Sequence, residues 1–142
     1  MKTQILTFAV LASLFSGCGG DTKLYIGTLT KVWKEKGVQI DKLEDSRTTV
    51  YVYQDGSPEL TVDGLGVPLV FQRNREALNF DSKANSGSME RTAYSETVTF
   101  NHGGGEASNM YLQIDLDATV TGNRNGEQFN QNVTWSYRGY LH

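Results

Sequence analysis

The sequence predicts an all-β domain: an antiparallel meander of about eight strands that closes into a barrel, with a β-sandwich as the alternative architecture for the same strands. Three observations predict it. From residue 24 onward the apolar residues alternate with polar ones almost throughout, the spacing of strands buried on one face. The alternating runs are rich in Thr, Val, Tyr and Phe, which fit a pleated, half-buried surface. Gly, Asn and Asp punctuate them at short intervals, and no long amphipathic helix pattern intervenes. Strands joined in this way leave two open edges unless the sheet closes, which is the reason to expect closure.

In chain order the expected strands are 24–34, 47–54, 59–63, 67–73, 77–83, 91–101, 108–121 and 127–141. The turn chemistry between them is Asp55-Gly56-Ser57-Pro58, Gly64 to Gly66, Asn85 to Ser88 and Gly103-Gly104-Gly105. Segment 35–46 is the exception. It is charged, carries only Val38, Ile40 and Leu43 as apolar anchors, and reads as a loop or a short helix.

The last two strands are specified most fully. Met110, Leu112, Ile114, Leu116, Ala118 and Val120 alternate with Gln113, Asp115, Asp117 and Thr119. On the partner, Phe129, Val133, Trp135, Tyr137 and Leu141 share one face and Asn130, Asn132, Thr134, Ser136 and Arg138 the other. Asn125-Gly126 between them suits a type I′ turn, whose central residues both need positive φ. That turn sets Arg124 against Glu127, Leu116 against Trp135, Ile114 against Tyr137 and, on the outer face, Tyr111 against Tyr140.

The N-terminal segment has a different fate. One cation, Lys2, precedes an apolar run from Ile5 to Phe15, the length of a secretory leader's core. Then come Ser16, Gly17 and Cys18, the sole cysteine. Phe15-Ser16-Gly17-Cys18 resembles the lipobox of bacterial lipoproteins, although Phe15 stands where that pattern prefers Leu. The resemblance implies cleavage before Cys18, a diacylglyceryl group on its thiol and acylation of the new amino terminus. Residues 1–17 are then a signal peptide, 18–23 the lipidated cysteine with a short tether, and 24–142 a single β domain. Gly19 occupies the position where an aspartate retains enteric lipoproteins in the inner membrane, so the resemblance points to the outer membrane.

Composition narrows the function. The full chain has 142 residues and a net charge of −3; losing Lys2 with the leader makes it −4. No Lys/Arg cluster marks a nucleic-acid surface. With Cys18 carrying lipid, no disulfide is available, and burial alone must hold the fold. The meander with a long first connection resembles lipocalin-like barrels in architecture only, because the Gly-x-Trp signature near the first strand is missing: Gly27 and Trp33 are too far apart.

Motifs that carry chemistry are few. His102-Gly103-Gly104-Gly105 matches the oxyanion-hole string of some lipases and esterases, but the Gly-x-Ser-x-Gly elbow and α/β scaffold it needs are missing, so it reads as a hairpin turn. Asp115 and Asp117 lie on the hydrated face of a strand rather than in a metal site. Segment 81–90 lacks EF-hand spacing and reads as a polar turn, and Asn132-Val133-Thr134 is a chance match to a glycosylation acceptor. Two inward positions break the apolar pattern, Glu96 beside Tyr94, Val98 and Phe100, and Gln131 in the last strand. Each reads as a bulge or rim position, or as a polar group pointing into a cavity. The candidate ligand-binding set is therefore Tyr94, Glu96, Gln131, Trp135 and Tyr137, mostly apolar with a few polar groups. The expected function is a non-enzymatic binding module held on the membrane by its N-terminal lipid, for a small apolar or amphipathic ligand. The alternative is a structural or inhibitory envelope protein working through its outer surface on another envelope protein. No cofactor and no nucleic-acid partner are expected.

Overall fold

The computed structural model describes residues 21–81, 89–91 and 96–142. Nine strands make up the described fold: β1 (Asp21–Glu35), β2 (Val38–Gln54), β3 (Glu59–Asp63), β4 (Leu69–Asn74), β5 (Ala77–Phe80), β6 (Met89–Arg91), β7 (Glu96–Ala107), β8 (Tyr111–Arg124) and β9 (Glu127–Leu141). Every pairing is antiparallel. β1 joins β2 and β9, the chain of pairs runs β2–β3–β4–β5 and β7–β8–β9, and β5 pairs with β7, so eight strands form one closed ring. The all-β meander and its closure are as expected.

The ring's eighth wall position is split. β5 faces Gly104 to Glu106 and β6 faces Glu96 to Val98, both antiparallel to β7 and on the same side of it. They are two collinear pieces of one strand position. The expected strand 91–101 is accordingly divided between β6 and β7, and residues 82–88 and 92–95, with the expected turn Asn85 to Ser88, lie outside the described residues.

Four expectations are corrected. β1 begins at Asp21, not Leu24. Segment 35–46 is neither loop nor helix: β1 and β2 continue through it as a hairpin around Lys36 (φ 49°) and Gly37 (φ 82°), the positive pair a two-residue turn requires. Gly103-Gly104-Gly105 is not a turn but lies inside β7. A methyl on Gly105 would overlap the Gln113 carbonyl oxygen, and one on Gly103 would come within 2.6 Å of Leu116 Cδ2, so β7 passes β8 too closely for side chains there. Met110, expected on the inward face, sits before β8 starts and is 75% exposed.

The β8–β9 hairpin follows the expected register, with Arg124 opposite Glu127, Leu116 opposite Trp135, Ile114 opposite Tyr137 and Tyr111 opposite Tyr140. Asn125 and Gly126 have φ of 55° and 85°. Inside the ring, Tyr25, Val50, Val62, Phe71, Leu112, Ile114, Leu116, Val133 and Tyr137 are almost wholly buried in one continuous cluster. Each such aliphatic or aromatic side chain stabilises the fold by roughly 1.5–3 kcal/mol relative to exposure. The alternation of strand pairs defines two ends. One end, named the tether end after the N-terminal tether expected from sequence, carries Asp21, the β2–β3, β4–β5 and β7–β8 connections and Leu141, and the other, the hairpin end, carries Lys36-Gly37, the β3–β4 connection and Asn125-Gly126.

Candidate functional site

Of the residues singled out from sequence, Cys18 and Tyr94 lie outside the described residues. Trp135, Tyr137 and Gln131 share the inner face of β9, and all three are buried. Trp135 stands edge-on to Phe100, ring centroids 5.0 Å apart, while the Lys31 ammonium from β1 sits 3.9 Å from the centroid of its ring. The β3–β4 connection lies against the indole as well: a methyl built on Gly66 would be 3.7 Å from Trp135 Cη2. Tyr137 Oη donates to the Thr48 carbonyl at 3.2 Å, and burial pushes this phenol's pKa up to about 12. Gln131, opposite Val120, is 8% exposed.

Glu96 belongs to the rim. It pairs with Gly122 at the hairpin end, its side chain is 15% exposed, and its carboxylate accepts from Arg124 at 3.3 Å. The same guanidinium stacks over Phe129, 4.7 Å from the ring centroid. The ring thus brings Gln131, Trp135 and Tyr137 together in its packed interior and leaves Glu96 paired at the edge. An open groove of about 650 Å³ near this rim is lined by Thr97, Thr121, Gly122, Gln128, Phe129 and Asn130 among others, and none of Glu96, Gln131, Trp135 and Tyr137 is among the described residues that line it.

The outer-face carboxylates are engaged in cross-strand contacts. Arg138 Nη2 donates to both oxygens of Asp115, at 3.0 and 2.9 Å, and Ser136 Oγ donates to Oδ1 at 2.7 Å. Asp117 accepts from Thr134 Oγ1 at 3.4 Å and pairs with His102 Nδ1 at 3.0 Å. These contacts follow strand register, Asp115 opposite Ser136 and Asp117 opposite both Thr134 and His102, and they tie β7, β8 and β9 together along the surface.

At the tether end, Arg73 links three connections. It donates to the Arg75 carbonyl (2.7 Å), Gln54 Oε1 (2.8 Å) and the Ala107 carbonyl (3.2 Å). Nearby, Tyr25 Oη donates to the Ser108 carbonyl at 2.9 Å. Burial raises the Tyr25 pKa, and the Arg73 charge opposes that shift.

The element that the sequence did not reveal is the hairpin arm. Residues 38–47 of β2 are all exposed, with Val38 at 66%, Ile40 at 48% and Leu43 at 49%. β3 pairs only with Tyr51 to Gln54, so among the described residues the outer edge of 38–48 has no neighbouring strand. Asp41, Lys42, Glu44, Asp45 and Arg47 line this arm, with a Lys42–Glu44 pair at 3.3 Å. The local signal was Lys36-Gly37, a weaker turn dipeptide than Asn-Gly. No family model matches the sequence, and no curated protein or solved structure is significantly similar to it.

Proposed function

We propose that the protein is a lipid-anchored component of a bacterial cell envelope that works without catalysis, through contact of its outer surface with another envelope protein. The observation that carries this reading is the contrast between the two faces of the ring. Trp135 and Tyr137 are committed to a continuous packed core, whereas residues 38–47 of β2, paired on one side with β1, carry three exposed apolar side chains and an open outer edge. An open edge is hydrogen-bonding capacity without a partner, and an extended protein segment is the ligand it fits. The leader and Cys18 support the anchor, and Gly19 supports the outer membrane. β1 starts at the end opposite the arm, so an anchor before Asp21 leaves the arm directed away from the bilayer.

The test is photo-crosslinking in cells with a reactive residue at Leu43 or at Thr119, together with native mass spectrometry after mild extraction. The reading expects a discrete protein adduct from Leu43, none from Thr119, and the apo mass only. A bound small apolar molecule with no Leu43 adduct would return the function to an interior ligand held by Gln131, Trp135 and Tyr137.

A further inference from the structure

The tether end carries a second feature that the partner-binding reading does not use, a one-sided band of exposed aromatic and aliphatic side chains. On the outer face Leu24 stands opposite Tyr51, Ile26 opposite Tyr140 and Tyr140 opposite Tyr111, a continuous row across β2, β1, β9 and β8. Tyr53 extends it, its ring stacked on Tyr51 with centroids 6.4 Å apart. Tyr140 is 72% exposed, Tyr51 42% and Ile26 36%. Met110, 75% exposed, and Leu141, 41% exposed, continue the band onto the rim. On the opposite side of the ring the outer face of β3, β4 and β5 carries Glu59 opposite Gln72, Gln72 opposite Asn79 and Thr61 opposite Val70, polar except for the one half-buried valine.

A contiguous apolar patch on an otherwise polar surface marks a contact. Its composition is that of a membrane interface, where tyrosine buries an apolar ring and keeps its hydroxyl in the headgroup layer. The course of the chain selects the occupant. β1 is an inner strand of the band, and Asp21 begins it at this end. Residues 18–20 reach only about 10 Å when fully extended, so a lipid on Cys18 lies within about that distance of Asp21, whose neighbour Thr22 stands opposite Tyr53 at the end of the band.

We infer that this band is a lipid-facing surface: the Tyr51, Ile26, Tyr140 and Tyr111 side of the ring rests in the headgroup region of the bilayer that holds the anchor. The inference rests on the lipid-anchor reading and adds to it a fixed orientation. Only the tether-end part of β2, β1, β9 and β8 rests on the membrane, so the ring stands on it instead of swinging on its tether, and residues 38–47 at the opposite end of the same strands are held away from the bilayer at a defined height. Several weak interfacial contacts beside acyl chains that already hold the protein act intramolecularly, which is why a patch too small to bind lipid alone suffices.

The test uses the full lipidated chain in vesicles of phosphatidylethanolamine and phosphatidylglycerol. Cys18 is the sole cysteine, so Tyr140→Cys and Val38→Cys each accept one thiol-reactive dye if the Cys18 thiol is blocked by lipid. With headgroup-region spin-labelled lipid present, the dye at position 140 should lose most of its emission and the dye at position 38 should keep it. Equal, weak quenching at both positions in protein that floats with the vesicles overturns the inference and leaves the anchor standing. Emission at position 140 that responds to protein concentration and not to spin-labelled lipid also overturns it, in favour of a second copy of the chain. Wild-type protein that takes up dye and fails to float has a free Cys18 thiol, and the anchor and the lipid-facing band then fall together.

Discussion

Tyr137 lies across Gly139, two residues further along the same strand, in the space where a side chain of Gly139 would stand. Gly139 faces Gly27 on β1, and the phenol passes over this glycine pair to reach the Thr48 carbonyl on β2. Thr48 flanks a β-bulge, where the ladder between β1 and β2 shifts register. One side chain therefore bridges three strands; Gly139 clears its path, and Gly27 lets the β9 backbone come close, since a methyl there would overlap the Arg138 carbonyl oxygen. Gly139→Ala puts a methyl within 2.6 Å of Tyr137 Cζ and should cost about 1–3 kcal/mol as an overpacked core site. The cost should shrink when Tyr137→Ala is already present. Urea melts of the two single variants and the double variant measure this coupling; additive costs would show that the ring and the glycine are independent.

The same phenol makes stability depend on alkaline pH. Its folded pKa is pushed up to about 12 by burial, whereas an unfolded tyrosine ionises near 10. Below about pH 10 both states hold the proton and the fold keeps its full stability. Between these values the unfolded chain loses the proton first, so stability falls by about 1.4 kcal/mol per pH unit, roughly 2–3 kcal/mol by pH 12. Tyr137→Phe should lower stability near neutral pH by about 1 kcal/mol through the lost hydrogen bond, yet flatten this alkaline limb. Denaturation midpoints of wild type and variant across that range would refute the assignment if the two curves ran parallel.

What the sequence made legible follows from what each residue buries. β8 and β9 alternate cleanly because both pack one face on the core along most of their length, and Asn125-Gly126 fixes their register. Val38, Ile40 and Leu43 lie on the exposed half of the arm, the stretch of β2 paired only with β1, where no burial imposes alternation, so the strand left no periodic trace. The glycines of β7 misled for a different reason: turn chemistry and close backbone approach call for the same residue. In the candidate site, the inward parity of Trp135, Tyr137 and Gln131 was readable. Arg124 as the partner of Glu96 was not, since it depends on how two strand ends meet at the rim.

Trp135 and Asn132 test the face assignment of β9. Trp135 is buried against Phe100 and Lys31, so Trp135→Ala should cost about 3–5 kcal/mol in a urea melt. Asn132, opposite Thr119 on the exposed face, should tolerate alanine within about 0.5 kcal/mol. Comparable losses at both positions would contradict the inward placement of the indole.

The anchor prediction stands apart because it concerns chemistry at a single sulfur atom. A leader of ordinary secretory type is cut where small residues stand three before and one before the bond, and Phe15 does not suit the first of those positions relative to Cys18. The proposed lipid attachment would account for Ser16 and Gly17 directly before the chain's one cysteine. The wild-type protein should then incorporate labelled palmitate and sediment with membranes, because several acyl chains hold it where one would not. Cys18→Ser removes the acceptor thiol without touching the ring that starts at Asp21, so the variant should fold, lose the label and accumulate as uncleaved or unlipidated precursor. Near-ultraviolet circular dichroism separates loss of anchoring from loss of fold. Wild-type protein recovered in full from a detergent-free soluble fraction would show that Cys18 carries no lipid.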